Sequence, residues 1–178
     1  MNRSYYYDDL GVASIILSHG LGIREQMELL NRIYENDREL LEPEYQSNKS
    51  QFILDVLYWI DYLPDKVNLE KEFPAVKKDL QSVGQSDTEI ASMSDEYDVE
   101  LFFLNVRLRI LYLGSQDFVR IKLRTLLARY GYKRRSSSLL KSLRKCLRAY
   151  GLKTYLRGGQ ECDIEEIKLD DMITIRMD

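Results

Sequence analysis

The first half of the chain places apolar residues at helical spacing among polar ones. From Ile23 to Leu41 the apolar positions recur mostly three or four residues apart, which predicts one amphipathic helix. A second apolar run begins after Ser50, a suitable N-cap, and stops before Pro64, so we expect the most buried helix of this half there. A third helical stretch is predicted over 69–83.

Two short segments of small polar residues, 84–87 and 92–95, are the strongest linker signals in the chain. We therefore expect two domains, with the boundary near residue 95. The first, 1–94, is predicted to be acidic and helical and to serve association. The second is predicted to span 95–178.

Beyond residue 95 the apolar pattern changes to alternation. Apolar residues at every second position in much of 99–113 predict one long strand or a hairpin. Ser115 or Asp117 is then expected to cap a helix that ends at Gly131, because glycine accepts the left-handed conformation of a helix end.

Three serines, 136–138, offer N-caps for a further helix that should end at Gly151. The remaining chain alternates again and predicts strands over 152–156, 164–169 and 172–177, with a turn at Gly158-Gly159. The sequence as a whole therefore predicts an α+β protein, a helical domain followed by a domain with a small antiparallel sheet.

Charge is distributed very unevenly, although the formal net charge is only −3. Residues 1–116 hold 11 basic and 21 acidic side chains, 117–160 hold 13 and one, and 161–178 hold 2 and 7. The middle block at +12 would attract a polyanion whatever the charge of the whole molecule. An alternative is that this block docks on the acidic N-terminal part or on an acidic protein.

The predicted helix after the serines concentrates the positive charge. Lys141, Arg144, Lys145 and Arg148 lie at helical spacing on one face, and apolar residues occupy the opposite face. We expect all four to point outward, where a helix in the major groove could reach phosphates and base edges. The serines at its N-terminus suit a phosphate.

Residues 126–132 read LLARYGY, a short basic turn follows, and residues 136–152 read SSSLLKSLRKCLRAYGL. This pattern resembles the second and third helices of the winged helix-turn-helix family. The resemblance implies that 136–148 is a recognition helix and that the wing starts at 153–159. The nucleic-acid-binding residues predicted on these grounds are Arg129, Lys133, Arg134, Arg135, Ser136, Ser137, Ser138, Lys141, Arg144, Lys145, Arg148, Lys153 and Arg157.

We expect no catalytic site, metal or cofactor. The single histidine, His19, has no identifiable partner that would orient it as a base, and one histidine with two separated cysteines is too few for a usual zinc site. No apolar run reaches membrane-spanning length, and the N-terminus lacks a signal-peptide pattern, so we expect a cytoplasmic protein.

The sequence thus predicts a non-catalytic nucleic-acid-binding protein with a regulatory or accessory role, with duplex DNA favoured over RNA. The alternative is an adaptor or small subunit of a nucleoprotein or defence complex that uses the basic face on RNA or on a protein. The N-terminal helices could also form a homodimer.

Overall fold

The computed structural model describes residues 5–63, 99–129 and 136–178. The predicted helix over 69–83, both linker segments and the boundary near residue 95 lie outside these ranges. The chain divides into two compact units, Met1–Ile90 (unit 1) and Ala91–Asp178 (unit 2). The described residues confirm the α+β class, with six α-helices and one three-stranded antiparallel sheet.

Unit 1 contains three described α-helices: α1 (Asp9–Ser18), α2 (Ile23–Asn36) and α3 (Lys49–Tyr62), with a 3₁₀ turn at Arg38–Leu40. Helix α1 is apolar on all sides, packs against α3, and is buried from Leu10 to Ile16. The prediction that α3 is the most buried helix is therefore wrong, because only Phe52 and Val56 of α3 are buried.

The helix expected from Ile23 to Leu41 ends earlier, at Asn36. Beyond it the chain turns so that Leu41 forms a parallel bridge with Tyr7, whose backbone N–H donates to the Leu40 carbonyl at 2.6 Å. Helix α3 also begins slightly before the predicted cap, because the Asn48 side chain, not Ser50, accepts from the backbone of the first turn.

The first described element of unit 2 is a helix, where the alternation predicted strands. Residues 99–108 are α-helical (α4) and continue into a π-helical turn, Arg109–Leu113. The strand prediction is wrong because α4 is buried on almost every side, including the consecutive residues 101–104. A helix surrounded by other parts of the fold needs no polar face, so its apolar period carries little information.

The next elements are β1 (Phe118–Lys122) and α5 (Leu123–Arg129). A helix starting at Ser115 or Asp117 was therefore an incorrect expectation. The segment 118–122 pairs with the far end of the chain, a long-range contact that local spacing does not reveal. The predicted helix end at Gly131 lies outside the described residues.

Helix α6 (Ser137–Ala149) confirms the predicted helix and both of its ends. The Ser136 hydroxyl accepts from the Leu139 amide at 3.2 Å, and Gly151 ends the helix at φ +58°. Leu139, Leu143 and Leu147 on its buried side anchor it within unit 2.

Strands β2 (Leu152–Tyr155) and β3 (Met172–Met177) complete the sheet, whose order is β1-β3-β2. The predicted strand over 164–169 is absent from the described fold. This segment instead forms turns, in which the Glu165 and Glu166 amides donate to Asp163. Ile164 and Ile167 are both buried, although they are three residues apart. In a strand, side chains at this spacing point to opposite faces, whereas a turn can direct both into the core.

Candidate nucleic-acid interface

Three of the four cations predicted on one face of α6 are exposed. Lys141, Lys145 and Arg148 point to solvent, and no ion pair joins them to any carboxylate within the described ranges. Because the leucines of the opposite face are buried, the orientation of α6 is fixed and these charges cannot turn inward. The helix therefore presents an exposed cationic ridge, defined here as Lys141, Lys145 and Arg148.

Arg144 does not share that orientation. Its guanidinium lies 3.0 Å from an Asp163 carboxylate oxygen and 3.0 Å from one of Glu165, and all three side chains are about one-third exposed. The expectation that Arg144 points outward with the other three is therefore wrong. Arg144 instead fastens the segment between β2 and β3 to α6.

The N-terminus of α6 is exposed and its first turn is partly capped. Ser136, Ser137 and Ser138 are all solvent-accessible, and the Ser136 and Ser138 hydroxyls lie 3.0 Å apart. Ser136 caps the Leu139 amide, so part of the backbone that could bind a phosphate already has a partner. The basic residues 133–135 lie outside the described residues, and Arg129 is the last residue of α5.

The loop after β2 forms a hairpin whose tip carries one predicted contact. The Leu156 amide donates to the Gln160 carbonyl at 2.8 Å, which places Arg157, Gly158 and Gly159 at the exposed tip. Both glycines have positive φ, 104° and 87°, as the predicted turn requires. Arg157 is exposed and makes no ion pair within the described ranges.

Lys153, at the base of this hairpin, is paired. Its ammonium lies 2.6 Å from an Asp178 carboxylate oxygen and 3.9 Å from one of Glu161. The hydrogen bond to Asp178 is the main cause that raises the pKa of Lys153. Arg124 is similarly joined to Asp170 by two hydrogen bonds, at 2.7 and 2.9 Å, which lower the pKa of Asp170.

Sequence reasoning missed two cations on the sheet. Arg120 of β1 and Arg176 of β3 are exposed on its solvent side. Arg120 was missed because 118–122 was assigned to a helix, and Arg176 was missed because it lies in the acidic segment 161–178, outside the basic block. The strand pattern was visible in the sequence FVRIK, where Val119 and Ile121 alternate with aromatic or cationic residues.

No group of three or more histidine, cysteine or acidic side chains that could hold a metal ion occurs among the described residues. None of the helices in the described part of the chain is both long and apolar enough to span a membrane. Comparison of the chain with protein-family models, curated proteins and solved structures gives no match.

Proposed function

We propose that unit 2 is a winged-helix-like domain that binds nucleic acid without catalysis, and that duplex DNA is its ligand. The order helix, strand, helix, helix, strand, strand supports this, together with the antiparallel sheet order β1-β3-β2. In this assignment α6 is the recognition helix and the hairpin tip at 157–159 is the wing.

The observation that carries the proposal is the cationic ridge on α6. Lys141, Lys145 and Arg148 lie on one exposed face of a helix whose other face is anchored by buried leucines. An α-helix fits the major groove of B-DNA, and side chains spaced over two turns can reach phosphates on both sides of it. The exposed serines 136–138 add hydroxyl donors next to the first turn.

The test is fluorescence anisotropy with a labelled DNA duplex over a range of salt concentrations. The variant Lys141→Gln/Lys145→Gln/Arg148→Gln should bind the duplex more weakly. The salt slope, meaning the slope of the logarithm of the binding constant against the logarithm of the salt concentration, should become shallower by up to about 2.7, or about 0.9 per lost phosphate contact. The matched control, Arg24→Gln/Arg38→Gln/Lys49→Gln, removes the same charge from unit 1 and should leave the slope unchanged.

Equal losses in the two variants would mean that the duplex responds to overall charge and not to α6. Binding of double-stranded RNA in preference to DNA, or of no nucleic acid even at low salt, would favour the adaptor alternative, in which the ridge binds RNA or a protein. A regulatory or accessory role, and dimerisation through the helices of unit 1, remain predictions.

A further inference from the structure

The solvent side of the sheet carries cations and aromatic rings in register. Arg176 of β3 lies opposite Phe118 of β1 on one side and Lys153 of β2 on the other, and Tyr155 lies opposite Thr174. Because side chains alternate along each strand, Phe118, Arg120, Arg176 and Tyr155 share this face. The opposite face holds the buried isoleucines of the core.

The arginines of this face are held by the rings beside them. The Arg120 guanidinium lies 4.7 Å from the centre of the Phe118 ring. The Arg176 guanidinium lies 5.6 Å from the same ring and 5.9 Å from that of Tyr155. Stacking on an aromatic ring restrains a guanidinium while leaving its N–H donors available to an anion.

A cavity of about 470 Å³ lies between the sheet and the hairpin tip. Arg120, Tyr155, Arg157 and Arg176 contribute to its wall, and Gly158 and Gly159 open its rim because they have no side chains. A nucleotide-sized ligand fits a cavity of this volume. No carboxylate is among the described residues that line it.

The lack of a counter-ion distinguishes these arginines from other cations of unit 2. Arg124, Arg144 and Lys153 are each paired with acidic residues from 161–178. Within the described ranges, Arg120, Arg157 and Arg176 have no such pair. Three arginines therefore line one cavity with no carboxylate beside them. A bound anion would offset the repulsion between their charges, so the cavity has the charge and the donors for a phosphate.

We infer that this cavity, termed the sheet pocket and defined by Arg120, Tyr155, Arg157 and Arg176, binds a nucleotide unit of single-stranded nucleic acid. The arginines hold the phosphate, and the base lies against Tyr155. A base within a duplex is stacked and paired and cannot enter a concave site, whereas an unpaired base can. The inference rests on the proposed function for the class of ligand. Arg120 and Arg176 lie outside the cationic ridge, whereas Arg157 also belongs to the wing of that proposal.

The test compares a labelled short oligothymidylate with the labelled duplex, using the full chain and variants checked for unchanged circular dichroism. Arg120→Gln/Arg176→Gln should lower oligothymidylate affinity about tenfold or more and make its salt slope shallower, with little change for the duplex. Lys145→Gln/Arg148→Gln, which removes the same charge from α6, should show the reverse pattern.

Substitutions of Tyr155 test base stacking separately from the loss of charge. Tyr155→Leu should lower oligothymidylate affinity about tenfold through lost stacking and leave the salt slope unchanged, and Tyr155→Phe should retain the affinity. Competition with thymidine monophosphate and with inorganic phosphate separates a nucleotide site from a simple anion site. Phosphate competing as well as the nucleotide would overturn the inference.

Other outcomes separate this inference from the proposed function. If oligothymidylate binding depends on Arg120 and Arg176 but no duplex binds, the sheet pocket stands and the DNA proposal fails. If the duplex binds through α6 but the oligothymidylate does not bind, or loses equal affinity in both double variants, the sheet pocket is refuted.

Discussion

Replacing Arg144 by glutamine separates a structural cation from a DNA-contacting one on the same helix. The helical period places Arg144 beside Lys145 on the basic side of α6, and both carry one charge. In the structure Arg144 pairs with Asp163 and Glu165, whereas Lys145 is exposed. We therefore expect Arg144→Gln to reduce stability and Lys145→Gln to reduce duplex binding.

The size of the stability loss follows from the two ion pairs. An exposed ion pair contributes about 0.2 to 1 kcal/mol, and Arg144 makes two, each at 3.0 Å between side chains that are about two-thirds buried. The free energy of unfolding of unit 2 should therefore fall by about 1 to 2 kcal/mol. In Lys145→Gln it should change by less than about 0.5 kcal/mol, as for most exposed positions.

The assays are urea denaturation at low and high salt, and duplex anisotropy across salt. High salt should narrow the stability difference between Arg144→Gln and the wild type, because the pairs are partly exposed and screened. The log–log salt slope should become shallower by about 0.9 in Lys145→Gln and stay unchanged in Arg144→Gln. A double-mutant cycle with Asp163→Asn should give a coupling energy of about 0.5 to 1 kcal/mol.

The opposite pattern would refute this reasoning. If Arg144→Gln lost no stability and flattened the salt slope as much as Lys145→Gln, the ion pairs would not form in solution. Arg144 would then belong to the DNA-contacting face, as the helical period alone predicts.

Three further predictions concern stability. Burial and, to a smaller extent, the Asp8 carboxylate raise the pKa of Glu42 from 4.5 to about 7. Between these two pH values the folded state therefore holds a proton that the unfolded state has lost. Stability of unit 1 should therefore fall by about 1 to 2 kcal/mol as pH rises from about 4.5 to about 7, and urea midpoints of Glu42→Gln should lack this loss. Gly151→Ala should cost about 1 to 2 kcal/mol, because φ is +58° there, and an equal urea midpoint would contradict the assigned helix end. Ser136→Ala should cost about 1 kcal/mol through the lost cap on the Leu139 amide, and Ser136→Asp should restore it.

Local sequence patterns were sufficient to predict α6 and the turn after β2. Ser136 and Gly151 mark the ends of α6 by side-chain capping and by backbone freedom, two effects confined to a few neighbouring residues. The Gly158-Gly159 turn is equally local. The α+β class could be predicted because it depends only on which kinds of element are present.

Long-range contacts explain what could not be predicted. Helix α4 is buried on nearly all sides, so its apolar residues show no helical stripe, and chance alternation suggested strands. Strand β1 depends on β3, which lies some fifty residues further along the chain. Of the predicted contacts, Arg144 and Lys153 looked like exposed cations because their carboxylate partners come from a separate segment, 161–178.

The position of that acidic segment explains why a charge count alone does not define the interface. Its carboxylates pair with Arg124, Arg144 and Lys153, three members of the basic block. Among the described cations of unit 2 that keep no counter-ion, two groups lie together on a surface. One group is the cationic ridge on α6, and the other comprises the arginines of the sheet pocket. Within the described residues of unit 2, the fold therefore separates cations that hold the hairpin segment in place from cations that can bind an anion. Since the paired cations contribute little net field, binding should depend on the unpaired ones, and a variant series that removes one charge at a time should show this division directly.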